Sequence, residues 1–200
     1  MNKYDAAKEM WRKDAEAMLM ISEQVSAEQY EALYQAIAGC KGKVAVSGMG
    51  TSGVAARKVV HMLRVADFPA FFLSAGDCAH GALGAVTEDD VLVFISKGGT
   101  TEELVGLLPS VKRKKCKLIT VTANVNSPLA LAADLIVKLD IPESDHKALT
   151  ANAGILAVIA LFDAVADELT NRPEYTDETL YYNHIHGNVG NILKEKISKG

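Results

Sequence analysis

Two short stretches rich in glycine and hydroxyl groups carry the side chains best suited to chemistry on an anion. They are Ser47-Gly-Met-Gly-Thr-Ser-Gly53 and Ser96-Lys-Gly-Gly-Thr-Thr-Glu-Glu103. In the second, Ser96 and Thr101 offer hydroxyls, while Gly98 and Gly99 let backbone N–H groups approach a ligand closely. Val91 to Ser96 is a continuous apolar run rich in β-branched residues, and a helical pattern begins at about Thr101. The loop therefore joins a strand end to a helix start, where the positive end of the helix dipole favours a phosphate monoester. An ordinary strand-to-helix turn, with glycine and threonine in turn and N-cap roles only, would read the same way. The first stretch matches Gly-x-Gly-x-x-Gly at residues 48, 50 and 53 and runs into a helix from Val54 to Val65. A dinucleotide site would also need an acidic residue about 20 residues on, at the end of the next strand. Phe71-Phe-Leu-Ser-Ala75 supplies none, so the loop is read as holding a sugar phosphate, with Gly50, Thr51 and Ser52 at the helix start.

Histidines supply the titratable groups. Gly76-Asp-Cys-Ala-His-Gly-Ala-Leu-Gly84 is too glycine-broken for a long helix and leaves His80 in a loop beside the presumed cleft. There it could exchange protons with a substrate hydroxyl, or it could be an exposed or hydrogen-bonded loop histidine. His184 and His186 are two residues apart, cannot share a helix face and have no third ligand in reach by spacing, so no metal site is expected.

The elements that must position these residues follow from the hydrophobic pattern. Short apolar runs at 43–47, 70–73, 91–96, 118–122 and 135–139 alternate with helical spacing or helix-start signals at 52–66, 101–112 and 128–133, the last opened by Ser127-Pro128. Strands joined by helical crossovers imply an α/β fold: three αβα layers around a five-stranded, parallel, doubly wound, flavodoxin-like sheet. The expected order is 2-1-3-4-5, with the switch point between strands 1 and 3, the two that end in glycine-rich loops. Residues 3 to 38 read as two helices, an N-terminal arm with apolar groups at Ala7, Met10, Trp11, Met18 and Ile21 and a second helix capped by Ser26 with Gln29 three residues on. The arm can pack on its own domain or on a partner subunit, and a subunit contact is the favoured expectation. A polar segment, Asp140 to His146, precedes an apolar helix from about Lys147 to Leu169, which should lie between its own sheet and a second surface, a subunit interface being the simplest. The organisation expected is one domain over residues 1–200: arm 1–40, core 41–170 and a helical tail 171–200.

Composition bounds the rest. With 200 residues, 49% hydrophobic and 23% charged, the chain suits one α/β domain. A net charge of -4, with no basic block beyond Lys112 to Lys117, argues against a nucleic-acid surface, and that run reads as a solvated helix end. Cys40, Cys78 and Cys116 are far apart and form no Cys-x-x-Cys, which fits a reducing cytoplasm. No signal peptide is apparent, and the longest apolar run, Ala153 to Phe162, is too short to span a membrane.

Gly48-Met-Gly-Thr-Ser-Gly53, Pro69-Ala-Phe-Phe-Leu73, Ala79-His-Gly-Ala-Leu-Gly84 and Ser96-Lys-Gly-Gly-Thr-Thr-Glu-Glu103 together resemble the sugar isomerase (SIS) domain. Within it, the chain is most similar to the arabinose 5-phosphate isomerases, from about Glu31 to Ile197, without the CBS modules that often follow. Asn183-His-Ile-His-Gly-Asn-Val-Gly190 resembles that family's Ser-His-Pro-Gly-Gly-Ala-Leu-Gly. The resemblance implies an aldose-ketose phosphosugar isomerase that needs no cofactor. It implies a phosphate held by Ser52, Ser96, Thr101 and loop N–H groups, and acid-base work by His184, Glu103 and His80. His184 would arrive from a neighbouring subunit of a homo-oligomer, a tetramer or a dimer. It leaves open 6-phospho-3-hexuloisomerase activity and a non-catalytic sugar-phosphate sensor. The chain departs from the pattern where Thr51 replaces lysine in Gly-x-Gly-Lys-Ser-Gly, and where Gly98 and Thr100 replace serine and glutamate in Ser-x-Ser-Gly-Glu. Ala82 also replaces the aspartate of His-Gly-Asp-Leu-Gly. Lys97 is expected to restore the missing cation.

Overall fold

A computed structural model describes residues 2–143 and 152–199. The arm is α1 (Lys3–Leu19) followed by a short α2 (Ile21–Gln24), and α3 (Ala27–Ala38) leads into the sheet. Ser26 caps α3 as its sequence signals: its Oγ accepts from the Gln29 N–H at 3.2 Å. The core then alternates β1 (Val44–Gly48), α4 (Gly50–Val65), β2 (Ala70–Phe72), α5 (Ala75–Cys78), a 3-10 turn at Ala82–Ala85, β3 (Val91–Ile95), α6 (Glu102–Val105) and α7 (Leu108–Lys114). It continues through β4 (Lys117–Thr122), α8 (Pro128–Leu131), β5 (Leu135–Lys138) and α9 (Asn152–Leu169), and the tail is α10 (Asp177–Asn183) and α11 (Gly187–Ile197).

All five strands are parallel, in the order β2-β1-β3-β4-β5. The expected topology is therefore the one observed. β1 and β3 run side by side with Ser47 opposite Phe94 and Gly48 opposite Ile95, so the two glycine-rich loops leave the sheet as neighbours, about 5 Å apart. Alternation along the strands splits the core into two layers. Val44, Val46, Val93, Ile95 and Val121 face α3, α4 and α9, while Ala45, Leu92, Phe94 and Leu118 face α5 to α8.

One helical expectation changes. The pattern at 101–112 reads as one helix, yet the chain forms α6 and α7 with a break after Val105. Pro109 has no N–H to donate to the Val105 carbonyl and is tolerated only in the first turn of a new helix. The arm takes one of its two expected neighbours, its own domain: α1 lies along α9, and Ala17 is buried in the first core layer. The second surface that the apolar α9 needs is thus supplied in part from within. Trp11 nevertheless points away, 60% exposed and edge-on to Tyr4 at 6.4 Å between ring centroids, which leaves an apolar stripe on the outside of the arm. The expected start of α9 at Lys147, and the end of the polar segment before it, lie outside the described residues. No helix among those described is long and apolar enough to cross a membrane.

Candidate functional site

The first glycine loop is shaped by close packing. A Cβ on Gly53 would come within 2.8 Å of the Gly48 carbonyl oxygen, and one on Gly48 within 2.8 Å of the Ser52 carbonyl carbon. α4 thus sits directly on the end of β1, and no side chain fits in the joint. Gly50, with φ +54 and open space around it, makes the turn. The N-cap, Met49, provides no side-chain acceptor, so the N–H groups of Gly50, Thr51 and Ser52 face outward without partners in the helix. These orphan donors and the positive end of a 16-residue helix meet at the C-terminal edge of the sheet, a favourable place for an anion. Ser52 is half-buried there and Thr51 exposed.

The second loop folds around one hydroxyl. Ser96 is 4% exposed; its Oγ lies 2.8 Å from the Thr101 hydroxyl and accepts from the Gly99 N–H at 3.1 Å. Gly99 has φ +66, and a Cβ there would overlap the Ser127 side chain. The loop is braced against β4, where the Thr122 hydroxyl donates to the Lys97 carbonyl at 2.9 Å. Gly98 and Thr100 are exposed at its crest. The structure therefore brings Gly50, Thr51, Ser52, Ser96, Gly98, Gly99 and Thr101 to one mouth between adjacent strand ends.

Lys97 behaves differently. Its side chain meets the segment that follows β5, where its amine donates to the Ile141 carbonyl at 3.5 Å and forms an ion pair with Glu143. Glu143 is a participant that the sequence reading missed. A carboxylate in a polar loop gives no signal, because its partner lies 46 residues away in the chain. Lys97 and Ser52 line a cavity of ≈ 20 Å³ with Ile141 and Gly154, enough for about one water-sized group. Ser47 was missed too. Its side chain is wholly buried at the end of β1, and its hydroxyl has no partner among the described residues.

The acid-base candidates fall in two places. Glu103 is exposed in the first turn of α6, and α6 packs against α5, whose following loop carries the exposed His80. Glu103 thus follows the second loop directly, and His80 follows the helix that packs against α6. Cys78, two residues before His80, is buried, and that burial together with the neighbouring Asp77 pushes its thiol above the ordinary range. His184 lies elsewhere. Asn183, the residue before it, donates to Asp67 at 2.8 Å, and Asp67 follows the C-terminal end of α4. That helix is 16 residues long, so His184 and the phosphate loops of one chain sit at opposite ends of a rod of about 24 Å. A larger cavity of ≈ 980 Å³, lined by Leu108, Lys112, Lys117 and Asp134, opens at the wrong end of the sheet, at the start of β4. Among the described residues no three His, Cys, Asp or Glu side chains are grouped to hold a metal ion.

Known proteins share this fold. The SIS domain matches residues 36–166. The arabinose 5-phosphate isomerase KpsF of Escherichia coli O6:H1 is 32% identical over 183 residues, covering 91% of this chain and 56% of the relative, so the chain spans about half the length of that curated protein. Among solved structures, a Listeria monocytogenes protein described as a candidate sugar-phosphate isomerase superposes with a TM-score of 0.89 at 39% identity, covering 93% of this chain and all of that one. An Escherichia coli CFT073 protein in complex with arabinose 5-phosphate superposes with a TM-score of 0.85 at 30% identity, covering 92% of this chain and 100% of that one. With its sheet order, its paired glycine loops and these matches, the chain belongs to the SIS domain family.

Proposed function

We propose that the chain is a phosphosugar isomerase of the arabinose 5-phosphate isomerase kind, interconverting an aldose phosphate and a ketose phosphate through an enediolate without a cofactor. The observation that carries this reading is the pairing of β1 with β3, which sets the uncapped start of α4 beside the Ser96–Gly99–Thr101 loop. Two sets of N–H and hydroxyl donors then converge where a phosphoryl group would sit. Binding of that remote group fixes the position of the reacting carbons. A base lifts the proton from the hydroxyl-bearing carbon beside the carbonyl while an acid protonates the carbonyl oxygen, and the proton then returns to the former carbonyl carbon as the other hydroxyl gives up its proton to become the new carbonyl. Glu103, which follows the second loop directly, and His80, which follows the helix packed against α6, can take part from the same chain. His184 cannot reach the mouth in its own chain and serves the site of a second copy. The exposed arm stripe and the exposed Tyr182, Ile185, Val189 and Ile192 of the tail supply apolar surface for that homo-oligomer, a dimer or tetramer. The whole of 1–200 acts as one unit, and its free Cys40, Cys78 and Cys116 suit a cytoplasmic setting.

Incubation in deuterium oxide with arabinose 5-phosphate and a panel of pentose and hexose phosphates tests the reading. Enzyme-dependent deuterium uptake at the carbon beside the carbonyl, followed by NMR, is the expected result. Binding without exchange would make the chain a sugar-phosphate sensor, a reading favoured by Thr51 and Thr100 standing where the resembled pattern has lysine and glutamate.

A further inference from the structure

The cavity of ≈ 980 Å³ beside the start of β4 lies at the sheet edge opposite the phosphate loops. β4 runs from Lys117 in the cavity wall to Thr122, which braces the second glycine loop, a span of about 17 Å, so a small ligand held here is out of reach of one in the cradle. Part of its lining is apolar: Leu118 is buried, Leu108 half-buried and Leu131 exposed. The basic run 112–117 supplies the rest of its character, with Lys112, Lys115 and Lys117 exposed on the same walls. Glu88 and Asp134 stand against them, but the Asp134 carboxylate accepts the Leu118 N–H at 2.7 Å and is committed to the start of β4. Lys115 adds an independent sign. It ends α7 in the left-handed region, at φ 58 and ψ 15, where helices commonly carry glycine because a Cβ is unfavourable there. The lysine puts a third amine on the cavity at a cost in backbone strain that glycine would not carry.

We propose that this cavity is a second ligand site, for a small organic anion whose apolar or aromatic body rests on the leucines and whose acidic head meets the lysines. Its volume is that of a small-molecule site, and a largely apolar lining with a few charged groups is the usual make-up of one. Three amines around one hollow focus positive potential there, in a chain whose net charge is -4. A nucleic-acid surface would instead need phosphate contacts spread along a path, whereas these lysines flank a single leucine-lined hollow. The site shares no residue with either glycine loop, so it stands whether or not the chain turns over a sugar phosphate.

Fluorescence titration of the full chain separates the two halves of the site. Anilinonaphthalenesulfonate is an anion with an aromatic body, and phenylnaphthylamine is the same body without the sulfonate. The sulfonate should bind at least about tenfold tighter than the neutral probe. Lys112→Glu and Lys117→Glu together, both at exposed positions, should weaken the sulfonate at least about tenfold and leave the neutral probe within about twofold. Lys194→Glu in the tail is the control for net charge and should change neither, because screening confines such effects to close range. Lys115→Gly should weaken the sulfonate about threefold while the chain resists denaturant at least as well as before, since glycine relieves the left-handed residue. The proposal is overturned if the sulfonate does not bind, if it binds no tighter than the neutral probe, or if the double reversal weakens it no more than Lys194→Glu does. The wild type alone gives a second reading that needs no variant to fold. Amide NMR shifts on adding the sulfonate should be largest around Leu108, Lys117 and Leu131, and largest shifts in the arm, the tail or the glycine loops would equally overturn it.

Discussion

Gly99 shows how much a single residue decides in the second loop. Its left-handed backbone and its approach to Ser127 leave no room for a methyl group. Gly99→Ala should therefore lower stability by roughly 2 kcal/mol, read as a shift in the denaturant midpoint, and weaken phosphate binding in whatever folds. The sequence announced that a backbone would come close here, because glycine followed by hydroxylic residues after a strand has few other uses. It did not announce the obstacle, since Ser127 comes from a loop beyond β4. The same limit applies to Lys97. Its charge was legible beside the phosphate loop, but the direction of a long flexible side chain is set by distant partners, here Glu143 and the Ile141 carbonyl.

At the scale of elements, the sheet was readable because parallel strands buried on both faces appear as short apolar runs, and crossover handedness leaves few orders. Helix ends were readable where a side chain caps them, as Ser26 and Ser127 do. The split at Pro109 shows that spacing alone misses a missing N–H. A different device fastens the other end of the sheet. Asp90, buried just before β3, accepts from the Lys43 N–H at 2.6 Å and the Thr87 N–H at 2.8 Å and pairs with the Lys43 amine at 3.3 Å. Burial raises its pKa, but these hydrogen bonds outweigh burial and hold the carboxyl below the usual range. A lowered folded-state pKa contributes stability that is present above the unfolded value, about 3.9, and is lost as pH falls through the folded value. Asp90→Asn should accordingly be less stable than the wild type at pH 7. That gap should narrow below about pH 4 in acid-denaturation curves, and a gap constant with pH would contradict the assignment.

Across the whole molecule, the arm was placed correctly as helical, but the choice between its own domain and a partner subunit was not settled by its pattern. An apolar stripe in a sequence does not say which of two surfaces it will cover, and here α9 took one side while Trp11 stayed outside. The position of His184 was visible only as an expectation drawn from resemblance, because the path of the tail back along α4 depends on the Asn183–Asp67 contact between distant parts of the chain. If His184 serves another copy, mixed assemblies offer a clean test. His184→Ala and Ser96→Ala chains, each inactive alone, should regain part of the activity when unfolded and refolded together, since some sites then pair an intact loop with an intact histidine. Recovery no greater than the sum of the separate preparations would count against it.

The geometry of α4 carries a last consequence. One rigid rod anchors the ligand loop at its head and the tail bearing His184 at its foot, so if that histidine serves a second copy, every copy would lend what it cannot itself use. Activity would then scale with encounter between copies rather than with folding, and simple dilution would silence the protein while leaving each chain intact.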